Sequence, residues 1–176
     1  MPPGNNSANF RLRAGLFALA ATLVALDRIT KIVVASAMPL YDSKPIIAGF
    51  FDLVHTRNTG IAFSMLDDAG PLVKNILIPL FSLAAVGLVV YLLWKSGPAT
   101  RRMQFGLTLV LAGAAGNLYD RFAYGYVVDF LDFYVGRYHW PAFNVADSCI
   151  TVGAGLLLLD SMLSGTREPR REPESA

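Results

Sequence analysis

The stretch from Gly113 to Ser148 concentrates Asn117, Asp120, Arg121, Asp129, Asp132, Asn144 and Asp147 in a chain otherwise poor in charge. Two of these carboxylates stand where a charge is expensive. Asp129 sits inside the apolar run YVVDFLDFY, and Asp147 lies just inside the start of NVADSCITVGAGLLLL. An ionisable residue kept beside hydrocarbon points to function, because its charged form is costly there. Two carboxylates close together do not both ionise cheaply, so such a pair shares a proton. The ionised member takes a proton from water while the protonated one polarises a carbonyl. That is aspartic peptidase chemistry, which needs no metal or other cofactor. Asp129 and Asp147 are its candidates, and Asp132, three residues beyond Asp129, is the alternative partner.

Other residues fit a supporting role. Asn144 and Asp147 lie three apart, where the amide can cap a helix whose N-terminal dipole favours the carboxylate. Asn117 and Arg121, four apart, offer an amide and a guanidinium from one helix face. Asp27 and Lys31 are an i,i+4 pair in the favourable order, readable as an intrahelical bridge or as part of the site. Asp120 reads as a structural ion pair or a helix end. His55 and His139 have no metal-ligand spacing, and the single cysteine, Cys149, excludes an internal disulfide or a Cys-cluster metal site. Ser64 and Ser148 lack the G-x-S-x-G elbow of a serine hydrolase.

The elements that would position these groups are membrane helices. The 176 residues are 54% hydrophobic and only 16% charged, with mean hydropathy +0.46. That charge is too sparse for an ordinary soluble domain, and a net charge of +2 without a basic aromatic patch excludes nucleic acid as partner. Four helices are expected at about 14–37, 75–94, 103–120 and 142–163, in one integral membrane domain over 14–164. Residues 1–13 and 165–176 read as disordered cytoplasmic ends. The first apolar run resembles a signal peptide with Ala35-Ser36-Ala37 as cleavage site, but Asp27, Arg28 and Lys31 interrupt it, so it reads as a retained helix. Outer segments fall at about 38–74, a β-containing cradle with turn signals at Gly49, Asn58-Thr59-Gly60 and Asp67-Asp68, and at 121–141, which is rich in aromatics. Gly106, Gly113, Ala114, Ala115 and Gly116 give the third helix a small-residue packing face. Arg11 and Arg13, then Lys95, Arg101 and Arg102, then Arg167, Arg170 and Arg171 mark one side, cytoplasmic by the positive-inside rule. Both termini then lie inside, and Asp129 and Asp147 meet at the outer interface. A small transporter that relays protons through membrane aspartates is the competing class. It predicts mid-span polar residues and internal repeats, and the uncharged second helix, the outward bunching of polar groups and the lack of a repeat argue against it.

Five blocks occur in order: Asp27-Arg-Ile-Thr-Lys31, Arg57-Asn-Thr-Gly-Ile-Ala-Phe-Ser64, Gly116-Asn-Leu-Tyr-Asp-Arg121, Val127-Val-Asp-Phe130 and Phe143-Asn-Val-Ala-Asp147. With the four spans, they make the chain resemble the bacterial lipoprotein signal peptidases (signal peptidase II) from about residue 14 to 163. The resemblance implies Asp129 and Asp147 as catalytic aspartates, Asn58, Asn117, Arg121 and Asn144 lining the site, and Asp27 and Lys31 supporting it. It further implies a mobile segment over the site, an inner-membrane location and diacylglyceryl-modified prolipoprotein substrates cut before the lipidated cysteine. Membrane lipid as surroundings, inhibition by globomycin and a monomeric enzyme without cofactor complete the expectation.

Overall fold

A computed structural model describes residues 5–60, 70–95 and 101–165. The expected turn at Asp67-Asp68, residues 61–64 of the second block, most of the basic loop after Lys95 and the tail from 166 lie outside the described residues. Four long helices and a small sheet follow in the order α1 (Asn5–Ala37), β1 (Ser43–Ile47), β2 (Phe51–Asn58), α2 (Ile78–Lys95), α3 (Arg101–Tyr124), β3 (Val127–Val135), β4 (Tyr138–His139) and α4 (Val145–Gly165).

Several expected boundaries need correction. The first helix begins at Asn5, so residues 5–13 are helical rather than disordered. A helix nucleated by the apolar run extends back through Arg11, Leu12 and Arg13 at little cost. A π-helical turn, Val73–Leu77, leads into α2. The third helix passes residue 120 and ends only where Gly125 adopts φ +76, its N–H bonding the Arg121 carbonyl at 3.1 Å. That left-handed residue is an ordinary helix stop and turns the chain toward β3. The fourth helix starts at Val145, not 142. Residue Phe143 is instead held extended, donating to the Leu131 carbonyl at 3.0 Å and accepting from the Leu131 N–H at 2.8 Å.

The aromatic segment proves to be part of the sheet itself. Its order is β1-β2-β3-β4, all antiparallel, so the cradle is built from both outer segments. The β-branched and aromatic content of Val127–Val135 suits a strand, and its alternation gives Asp129 one face and Val128 the other. Phe133 stacks between Phe51 and Phe143, with centroids 4.7 and 5.8 Å away, and locks the cradle to the start of α4.

The helical core lies among α1, α2 and α3, around Ala20, Val89, Leu93, Leu107, Leu111 and Ala112. Small residues let α3 meet α4 and α1 at backbone distance. A Cβ at Gly113 would collide with the Ala146 carbonyl, and one at Gly116 would stand 2.8 Å from the Asp27 carboxylate. Outward faces are apolar instead: Phe81 and Trp94 on α2 and Leu158 and Met162 on α4 are largely exposed. By length and composition α2, with its lead-in, and α4 are long and apolar enough to cross a membrane. Both α1 and α3 also carry charged groups, several of which they turn inward.

Candidate active site

Asn144 caps α4 and does more than cap it. Its Oδ1 accepts the Asp147 backbone N–H at 2.9 Å, and its own backbone N–H donates to Asp147 Oδ2 at 3.3 Å. This reciprocal pair is a capping box with an aspartate in the third helical position. The same Asn144 amide donates to Asp129 Oδ1 at 2.6 Å and to the Val128 carbonyl at 3.3 Å. One fully buried side chain therefore touches both acidic residues.

The strands complete the arrangement. β2 pairs Thr56 with Asp129 and Asn58 with Val127, so Asn58 and Asp129 share a sheet face. Asn58 Nδ2 donates to Asp129 Oδ2 at 3.1 Å. From α3, Asn117 Nδ2 donates to Asp147 Oδ1 at 2.7 Å. Among the described residues, both carboxylates are thus held by neutral N–H donors and neither forms an ion pair. Burial raises the Asp129 carboxyl to about 7, and the nearby Asp147 charge pushes the same way against the bonds from Asn58 and Asn144. A carboxyl held there exchanges its proton near neutrality.

A second, ionic layer lies behind Asn117. Lys31 Nζ donates to Asp27 Oδ2 at 2.7 Å and to Asn117 Oδ1 at 3.0 Å, and it forms an ion pair with Asp120 Oδ2 at 2.7 Å. Asp27 Oδ1 also accepts the Ala146 N–H at 2.9 Å, tying α1 to the first turn of α4. The Asp27–Lys31 pair is therefore an intrahelical bridge and also a neighbour of the candidate site. Asp120 is an ion pair, but with Lys31 and with Arg28 of α1 rather than with anything beside it in sequence. Arg121 donates to the Gly60 carbonyl at 3.0 Å and the Asn117 carbonyl at 3.3 Å, fastening the end of β2 to α3.

Asp132 lies outside this group. Three residues along a strand reverse the face, and its carboxylate meets His139 Nδ1 at 2.9 Å on the cradle surface. His55 is buried, its Nδ1 2.9 Å from the Met38 carbonyl. Cys149 is a buried free thiol. Among the described residues no group of His, Cys, Asp or Glu side chains is arranged to hold a metal. The residue that sequence reasoning passed over is Arg28. Its role depends on α1 lying against α3, and no local pattern announces that contact.

A family model for signal peptidase (SPase) II matches residues 19–163. The chain belongs to the signal peptidase II family. It is a hydrolase, an aspartic protease of the signal peptidase II type, as the five sequence blocks led one to expect. Lipoprotein signal peptidases of Syntrophus aciditrophicus and Desulforapulum autotrophicum are 47% and 44% identical over 82% of this chain, and the matches cover 91% and 90% of those relatives. Two solved structures described as bacterial membrane enzymes are similar to it, with TM-scores of 0.77 and 0.75 at 30% and 32% identity. They match 92% and 87% of this chain and 95% of their own. With its apolar outward faces, this family member is a membrane protein.

Proposed function

We propose that the protein removes signal peptides from diacylglyceryl-modified prolipoproteins, cutting before the lipidated cysteine with Asp129 and Asp147 as the catalytic pair. The observation that carries the reading is the Asn144 side chain, which bonds the Asp129 carboxylate and the backbone of Asp147 at once. Asp129, the member raised to about 7, holds the shared proton, and Asp147 accepts one from water. The water oxygen attacks the scissile carbonyl carbon while Asp129 protonates the carbonyl oxygen, giving a gem-diol. As the C–N bond breaks, the leaving amine takes the proton from Asp147 and Asp129 recovers its own from a diol hydroxyl. Asn58, Asn117 and Asn144 orient the carboxylates, Arg121 holds the β2 end in place, and Asp27 and Lys31 fix Asn117.

The enzyme acts in the inner membrane as a four-helix monomer with both termini cytoplasmic and the pair at the outer face. Supporting this, Arg13 of α1 lies over the Trp94 ring near the end of α2, and Arg102 at the start of α3 reaches Asp160 late in α4 at 3.4 Å. The basic residues thus gather at the end of the bundle opposite the carboxylates. The 33 residues of α1 span about 50 Å, enough to cross a bilayer and carry its acidic pair to the far interface. The lipid-bearing substrate enters sideways from the membrane, and globomycin-type inhibitors block the site.

The test is cleavage of a diacylglyceryl-prolipoprotein peptide by the purified protein with EDTA present. Wild type cuts before the lipidated cysteine, whereas Asp129→Asn and Asp147→Asn each lose on the order of 10³-fold or more while keeping the fold. Normal cleavage by either variant removes that residue from the pair. A folded wild type that never cuts this substrate overturns the reading.

A further inference from the structure

The β2–β3 ribbon has a reverse side. Asn58 and Asp129 face the carboxylate pair, so the cross-strand partners Arg57 and Val128, each one residue away, face the opposite direction. On that side lies a cavity of about 310 Å³, between the C-terminal part of α1 and the corner where α3 gives way to β3. Ile32, Ala35 and Val128 form its apolar wall, and Arg28, Tyr124 and Tyr126 its polar one. Neither Asp129 nor Asp147 lines it. Lys31 does, and through its bond to Asn117 the two sites share one side chain.

Charge is distributed unevenly across this cavity. Arg28 is held in place by the rings of Tyr119 and Tyr124, 4.6 and 5.2 Å from its guanidinium, and it donates to Asp120 and to the Tyr124 hydroxyl at 3.0 Å. Those two bonds leave further donors of its five-donor fork. Arg57, exposed, lies 4.3 Å over the Tyr126 ring. The balancing carboxylates Asp27 and Asp120 are sealed off, 1% and 0% exposed. The two guanidiniums are therefore the accessible charges, and an anion is the complement.

The surface leading away from the cavity is hydrocarbon. Ile29, Ile32 and Val33 are 58%, 56% and 56% exposed, and with Ser36 they follow the i, i+3, i+4, i+7 spacing of one helix face. A soluble anion has no use for that stripe, and an uncharged lipid has none for the guanidiniums. Cations, phenols at headgroup level and an adjoining apolar stripe together fit an amphiphile with a phosphate. We propose that this cavity is a binding site for an anionic phospholipid, its headgroup phosphate taken by Arg28 and Arg57 and one acyl chain lying along Ile29, Ile32 and Val33 of α1.

The full-length protein in an uncharged detergent is titrated with short-chain phosphatidylglycerol, with phosphatidylcholine of the same chains, and with glycerol 3-phosphate. The thermal unfolding midpoint is the readout, so the outcome does not depend on peptidase activity. Phosphatidylglycerol raises the midpoint saturably, and the other two require concentrations about tenfold higher or more. Ala35→Phe, which fills the cavity, weakens the phosphatidylglycerol response by roughly tenfold or more, and Arg57→Gln by several-fold. An equal response to phosphatidylcholine overturns the proposal, as does saturation by glycerol 3-phosphate alone at the same concentration. So does an unaltered response in Arg57→Gln, the surface variant that decides the matter if Ala35→Phe has lost its own unfolding transition.

Discussion

Two pairs of carboxylates lie within one cluster, and they are held in opposite ways. Asp27 and Asp120 are neutralised by Lys31 and Arg28. Asp129 and Asp147 are held by the amides of Asn58, Asn117 and Asn144 and a backbone N–H. The ion-paired carboxylates have a cation set against them and serve as struts between helices. A buried carboxylate given only neutral donors keeps its appetite for a proton, which is what acid–base chemistry at neutral pH requires. The Lys31–Asn117 bond joins the two pairs, bringing a positive charge close to Asp129 and Asp147 without pairing it to either.

The contrast between ion-paired and amide-held carboxylates has measurable consequences. The largest effect is expected on the ionic side, where Lys31→Met leaves buried Asp27 without a cation and Asp120 with Arg28 alone, and costs about 3–5 kcal/mol. Unfolding in detergent measures it, and the added change Asp27→Asn recovers part of the loss. On the amide side the signature is pH. Raised from 3.8 to about 7 by folding, the Asp129 carboxyl favours the native state most when protonated, below pH 3.8. Its contribution is lost as pH climbs to about 7, on the order of 4 kcal/mol across that interval. Asp129→Asn should flatten that part of the stability–pH curve, and an unchanged slope would show that Asp129 does not hold the proton.

Smaller effects probe the packing that brings the pairs together. Gly113→Ala drives a methyl into the Ala146 carbonyl and should cost about 1–3 kcal/mol, more than Gly116→Ala, which meets the Asp27 side chain at 2.8 Å. The ranking of their melting midpoints tests this. Smallest of all is Asp132→Asn on the cradle surface. Its partner His139 is half exposed, so the loss stays within about 1 kcal/mol and cleavage continues. A loss of cleavage there would reopen the choice of partner for Asp129.

Apolar helices and the family were legible in the sequence alone, because hydrophobic runs and short ordered blocks are local properties of a chain. The capping relation of Asn144 to Asp147 was also legible, since three residues on one helix turn meet whatever the rest of the fold does. Which of Asp132 and Asp147 shares the Asn144 side chain with Asp129 was not. It turned on Val127–Val135 being a strand, a segment whose apolar and aromatic composition had marked it only as an interfacial stretch. Once the strand forms, its period of two sends Asp132 away from Asp129. Nor was there any local sign that Asp120 would turn to Lys31 and Arg28, or that Asn58 would reach Asp129 across 71 residues. Those contacts exist because glycines let α3 approach its neighbours at backbone distance and because β2 and β3 pair in one register. Both are relations between distant segments, settled only when the elements pack.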